Sequence, residues 1–168
     1  MSSLAARKSL FSFPDPVNEV SARLVAGGVV VMAMTILVSR QWWLLAVLAY
    51  GFVARVLTGP TLSPLGQVAT RVVTPRLRVA PKPVPGPPKR FAQGIGALLS
   101  TSAAVLALGF GFIGAAQVLL AMLVVAATLE SVFAICLGCS AFALLMRAGV
   151  IPEEVCERCN DIWATAGH

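Results

Sequence analysis

GAAQVLLAMLVVAATLESVFAICLGCSAFALLMRAG, residues 114–149, decides the architecture. It contains no proline and one acidic residue, Glu130, so it reads as one helix of about 33 residues, roughly 50 Å long at ~1.5 Å per residue. A bilayer's hydrocarbon core is about 30 Å thick and takes ~20 residues. Residues 115–134 therefore fill the bilayer, and the part carrying Cys136 and Cys139 emerges at one surface. There it meets VIPEEVCERC, residues 150–159, with Cys156 and Cys159.

Composition sets the frame. The 168 residues are 58% hydrophobic and 12% charged, with a mean hydropathy of +0.86. Soluble domains average about 25% charged residues, so the chain is expected to be an integral membrane protein forming one unit over 1–168. Its net charge of +6 does not suggest nucleic acid, because the cations flank apolar runs without interleaved stacking aromatics. The lipid bilayer and its anionic headgroups are the expected partners.

Four spans follow, at 22–38, 42–57, 91–112 and 115–134, after a short mobile tail at 1–15. Asp15-Pro16 reads as a helix cap with a first-turn proline, and Arg23 as a membrane-edge residue. Trp42 and Trp43 anchor the second span at the interface. Arg55 closes that span, and the one acidic residue inside any other span is Glu130, so an Arg55–Glu130 ion pair is expected.

Residues 58–89 form the longest stretch between spans. Leu65, Val68, Ala69, Val72 and Val73 recur at helical spacing, which predicts a short amphipathic helix on the membrane surface. Six prolines from Pro75 to Pro88, interleaved with Arg76, Arg78 and Lys82, predict an extended basic linker, with Lys89-Arg90 anchoring the third span. Twelve of the thirteen cations fall on one side of this topology and Arg40 on the other. By the positive-inside rule both termini and all four cysteines face the cytoplasm.

Structural disulfides are rare in the cytoplasm, which leaves metal binding, catalysis or redox sensing for four thiols. The two C-x2-C pairs have zinc-like spacing. A turn near Gly149 predicts a helical hairpin over 135–165, in which Cys139 faces Cys156 and Cys136 faces Cys159. Two chemistries suit four converging sulfurs. Thiolates can hold zinc, while dithiols can relay electrons or sulfur through a mixed disulfide or persulfide. Within a relay, Cys156 near a helix start is the expected nucleophile, Cys136 being too membrane-proximal. No Ser-His-Asp set is available, since His168 is the single histidine. No phosphate-cradling or dinucleotide glycine motif is present either. No cofactor is expected except zinc under the metal reading.

The blocks FPDPVNEVSARL (13–24), ARVLTGPTLSP (54–64), PKRFAQGIG (88–96) and LGCSAFALLMRAGVIPEEVCERC (137–159) resemble domain-of-unknown-function family 4395, small bacterial membrane proteins. The resemblance implies a four-span fold in the bacterial inner membrane, with Cys136 and Cys139 as the matching cysteine pair, followed by Arg147 and Gly149. It also implies association with thioredoxin-like and sulfurtransferase-like proteins, which favours thiol or sulfur chemistry, but it identifies no enzyme class. The resulting expectation is an all-α polytopic protein with four transmembrane helices and a cytoplasmic four-cysteine hairpin. Its function is a thiol-disulfide or sulfur relay through Cys136, Cys139, Cys156 and Cys159. The alternatives are a structural four-cysteine zinc site on the same residues in a membrane scaffold, and transport of a small sulfur compound past Arg55 and Glu130.

Overall fold

A computed structural model describes residues 13–156. Helix α1, Glu19–Ser39, starts where the Asn18 side chain accepts the Val20 N–H at 3.0 Å, with Glu19 in the first turn to suit the helix dipole. It ends on Arg40, whose left-handed backbone returns its N–H to the Ile36 carbonyl. Helix α2, Leu44–Thr58, ends at Gly59, where φ is +65° and a side chain would collide with Pro14. Short helices α3, Pro64–Gln67, and α4, Thr74–Arg76, flank a π-helical turn, Val68–Val73. Helix α5, Gly86–Ala104, runs into a second π turn, Val105–Gly109; α6 covers Ile113–Phe133 and α7 Leu137–Arg147. A 3-10 turn, Glu153–Cys156, follows.

The long helices alternate in direction. Arg23 of α1 reaches Ser131 at the end of α6, Arg55 near the end of α2 reaches Gln93 near the start of α5, and Lys89 of α5 reaches Glu130 of α6. Between the ends, Val29, Ala33, Ile36, Leu45, Leu48, Phe52, Ala103, Ala116 and Leu120 share one apolar core. Three helical stretches, Glu19–Ser39, Gly86–Gly109 and Ile113–Phe133, are long and apolar enough to cross a membrane, and α2 is a shorter apolar helix of 15 residues. Val31, Val38, Leu98, Val118, Met122 and Val125 point outward. That surface suits lipid, since water would be a poor solvent for so large an apolar area.

Several expectations are corrected. The 114–149 helix is not continuous: Ala134 takes a left-handed φ of 57°, and Cys136 is extended before α7 begins. The break carries no glycine or proline. Arg23 makes it tenable from another helix, its Nε and Nη2 donating to the Ser131 carbonyl at 3.1 and 3.0 Å and Nη2 also to Val132 at 3.1 Å. A guanidinium thus satisfies the carbonyls that a helix end leaves bare and complements its negative dipole end. Asp15 does not cap α1; its Oδ1 accepts the Gly86 N–H at the start of α5. The third long helix therefore begins at Gly86, with Pro87 and Pro88 in a first turn that needs no N–H donors.

Residues 13–15, assigned to a mobile tail, are packed: Phe13 lies under the Arg90 guanidinium and Pro14 against Gly59. The proline-rich linker is pinned as well. Strand β1, Val17–Asn18, pairs antiparallel with β2, Pro83–Val84, and Lys82 ion-pairs Glu19 at 2.8 Å. The 64–76 helical stretch turns Gly66 and Ala69 inward, with Leu65 against Gly28 of α1, and leaves Val68 and Val72 exposed.

Candidate thiol site

The break in the long helix creates the site. Cys136 becomes the N-cap of α7, and its sulfur accepts the Cys139 backbone N–H at 3.3 Å. The Cys139 thiol donates to the same sulfur across 2.7 Å. Both cysteines are free and half-buried. Gly138, between them, is required by packing: a Cβ there would fall 2.5 Å from the Ala92 Cα of α5. The glycine lets α7 lie directly on α5, and Phe142 meets Phe91 edge-on at 5.6 Å to hold it there.

That docking brings the thiols beside a buried ion pair. Lys89 Nζ lies 2.6 Å from Glu130 Oε1, with both side chains largely removed from solvent. The expected Arg55–Glu130 pair is not formed. Lys89 sits one helix away from Glu130 at the same depth, whereas Arg55 is turned toward α3 and α5. Its Nε donates to Gln93 Oε1 at 3.0 Å and its Nη1 to Ser63 Oγ at 3.1 Å, and its guanidinium lies 4.4 Å above the Phe52 ring. Gly96 makes room for that ring, because any side chain there would overlap Phe52. Sequence reasoning missed Lys89, Gln93 and Ser63. Lys89 stands next to Arg90 in a run that reads as interfacial anchors, and the pattern alone does not tell which of the two turns inward.

The cysteine pair lies beyond the end of α6, and its two thiols are driven apart. The Cys136 thiol is held below its ordinary range, first by the hydrogen bond from the Cys139 thiol, then by Lys89 and the Cys139 N–H, against opposition from burial and Glu130. The Cys139 thiol is pushed far up, first because it donates to Cys136 and next by burial. Of the two, the Cys136 sulfur, at a helix N-terminus, gives up its proton the more readily, and its neighbour keeps its own. Cys136 is thus placed at a helix start of its own, while the expected lead of Cys156 falls on a side chain outside the described residues.

The second pair is a different matter. Gly149, at φ +75°, does turn the chain after α7. However, Cys159 and the side chain of Cys156 lie outside the described residues, as does the proposed four-sulfur convergence. Among the described residues no group of three or more His, Cys, Asp or Glu is arranged to hold a metal. The fit of zinc therefore turns on Cys156 and Cys159 together.

Residues 17–147 match the family described as Domain of unknown function (DUF4395). The chain belongs to that family. The DUF4395 match takes in α1 to α7 and both Cys136 and Cys139, and stops at Arg147, before Cys156 and Cys159. It also spans Arg23, Arg55, Lys89 and Glu130, so every described residue of the site belongs to the DUF4395 region. No curated protein and no solved structure matches the chain.

Proposed function

We propose that this DUF4395 protein is a membrane-embedded dithiol that exchanges electrons or sulfur with a soluble partner. The observation that carries the reading is the placement of Cys136 at the N-cap of α7, receiving both the Cys139 N–H and its thiol proton. A helix N-terminus and a donated hydrogen bond both favour thiolate, the nucleophilic form. In the exchange, the Cys136 thiolate attacks one sulfur of a partner disulfide, forming a mixed disulfide and releasing the first partner thiolate. Cys139 then gives up its proton and attacks the Cys136 sulfur, closing the internal disulfide and releasing the second. Two electrons pass from the dithiol to the partner, and the reverse sequence reduces the internal disulfide. If the partner carries a persulfide, attack on its outer sulfur transfers that atom to Cys136 and releases the partner thiolate.

A thioredoxin-like or sulfurtransferase-like protein fits the part of the partner. We place the protein in the bacterial inner membrane with four spans, α2 being the short one. Both termini and the thiol end face the cytoplasm, because the cation-rich segments lie at that end and Arg40 at the other. The basic 76–82 stretch then lies at anionic headgroups. Cys156 and Cys159 are assigned to hand the oxidation on to or from the first pair.

Trapping tests the reading. Cys139→Ser leaves the mixed disulfide without its resolving thiol, so a covalent adduct through Cys136 is expected to accumulate in cells and to vanish with dithiothreitol. The Cys136→Ser chain is expected to trap nothing. Absence of any adduct in Cys139→Ser, together with equal alkylation of Cys136 in oxidised and reduced wild-type membranes, refutes the relay.

A further inference from the structure

Arg55 is more deeply buried than any other arginine among the described residues, at 5% exposure, and its Nη2 has no hydrogen-bond partner among them. Its other contacts fix it rigidly: Gln93 holds Nε, Ser63 holds Nη1, and Phe52 carries the guanidinium face. The remaining donors therefore point in a set direction. Ser63 is itself held, accepting the Gly66 N–H as the cap of α3. A guanidinium with an unpaired N–H in a dry site is costly and normally finds an acceptor.

Arg55 and Gln93 line two cavities. One, of about 320 Å³, is shared with Glu130 and Cys136; the other, of about 200 Å³, with Lys89 and Ser21. Glu130 is engaged by Lys89 at 2.6 Å, and Arg55 makes no ion pair among the described residues. A buried guanidinium whose Nη2 lacks an acceptor is complementary to a negative charge borne on oxygen.

We infer that this cavity binds a small monoanion by its carboxylate or oxoanion head at Arg55, and that the anion is a sulfur compound presented to Cys136. The binding step stands on Arg55 alone; the anion's role as an exchange partner rests on the thiol reading above. The chemistry balances for a disulfide or thiosulfonate: the Cys136 thiolate bonds to its sulfur, the sulfur–sulfur bond breaks, and the leaving group departs with the electron pair as a thiolate or sulfinate. Cys139 then displaces the captured half as a second thiolate.

The test uses the full chain in lipid nanodiscs with Cys136 as its single cysteine (Cys139→Ser, Cys156→Ser, Cys159→Ser). Labelling rates are compared for anionic sulfonatoethyl methanethiosulfonate and neutral methyl methanethiosulfonate. Arg55→Gln is expected to lower the anionic-to-neutral rate ratio about 10-fold, and Arg55→Lys, which keeps the charge without the fork, to fall between. Saturating sodium formate, added to protein with Arg55 intact, is expected to slow the anionic reagent and spare the neutral one. An unchanged ratio in Arg55→Gln, or no effect of formate, overturns the anion site. Should Arg55→Gln fail to fold, the formate arm decides alone. The neutral rate reads Cys136 nucleophilicity by itself, so a sluggish neutral reaction with intact anion preference counts against the thiol reading only.

Discussion

Cys136 and Cys139 are chemically alike in the sequence and opposite in the fold. Cys136 accepts two hydrogen bonds at a helix start, while Cys139 spends its proton on its neighbour. A donor stabilises the charged sulfur over the neutral one, so Cys136 titrates below its usual range and Cys139 above. The iodoacetamide reactivity of Cys136 is therefore expected to reach half its maximum below the ~8.5 of an ordinary thiol. In Cys139→Ala the donor is gone and the midpoint rises, slowing alkylation at neutral pH. Mass spectrometry of each cysteine across a pH series checks this; coincident curves for the two thiols would contradict the asymmetry. The pairing of the two cysteines was plain from their spacing. Which would lead was not, because an i,i+3 pair has different leaders inside a helix and at its start.

The decisive element is the interruption between α6 and α7. Ala134 holds a left-handed backbone, which costs an alanine about 1 kcal/mol and a glycine almost nothing. Ala134→Gly is thus expected to stabilise the protein by roughly 1 kcal/mol while leaving Cys136 reactive. In a continuous helix the same change would destabilise by a similar amount, so the sign of the shift in detergent melting separates the two structures. Nothing local announces this break. Residues 114–149 hold no proline, and their glycines, Gly114, Gly138 and Gly149, stand away from it. The chain bends because Arg23, more than a hundred residues earlier, takes the Ser131 and Val132 carbonyls, and because Gly138 admits α7 onto α5.

Across the whole molecule, the polar end of the bundle is held by charges drawn from separate helices. Lys89 and Glu130 join α5 to α6 out of water. Removing one partner of a buried pair strands the other, so Lys89→Met is expected to cost about 3–5 kcal/mol, whereas Lys89→Met with Glu130→Leu recovers most of that loss. Thermal unfolding of both variants in the same detergent measures the coupling. A double variant no more stable than the single one would mean that the two charges act independently.

Composition and apolar run length determined the helical, lipid-suited class, and loop punctuation placed the turns near Arg40, Gly59 and Gly149, because these depend on transfer energies and backbone preferences within a few residues. The likeness to DUF4395 was equally legible in the linear motifs. Only the tertiary structure decided that Glu130 pairs with Lys89 and not Arg55, that Asp15 caps α5, and that Cys136 starts a helix. Each depends on which side chains reach across at one depth of the bundle, and a depth match between distant segments leaves no periodic trace along the chain.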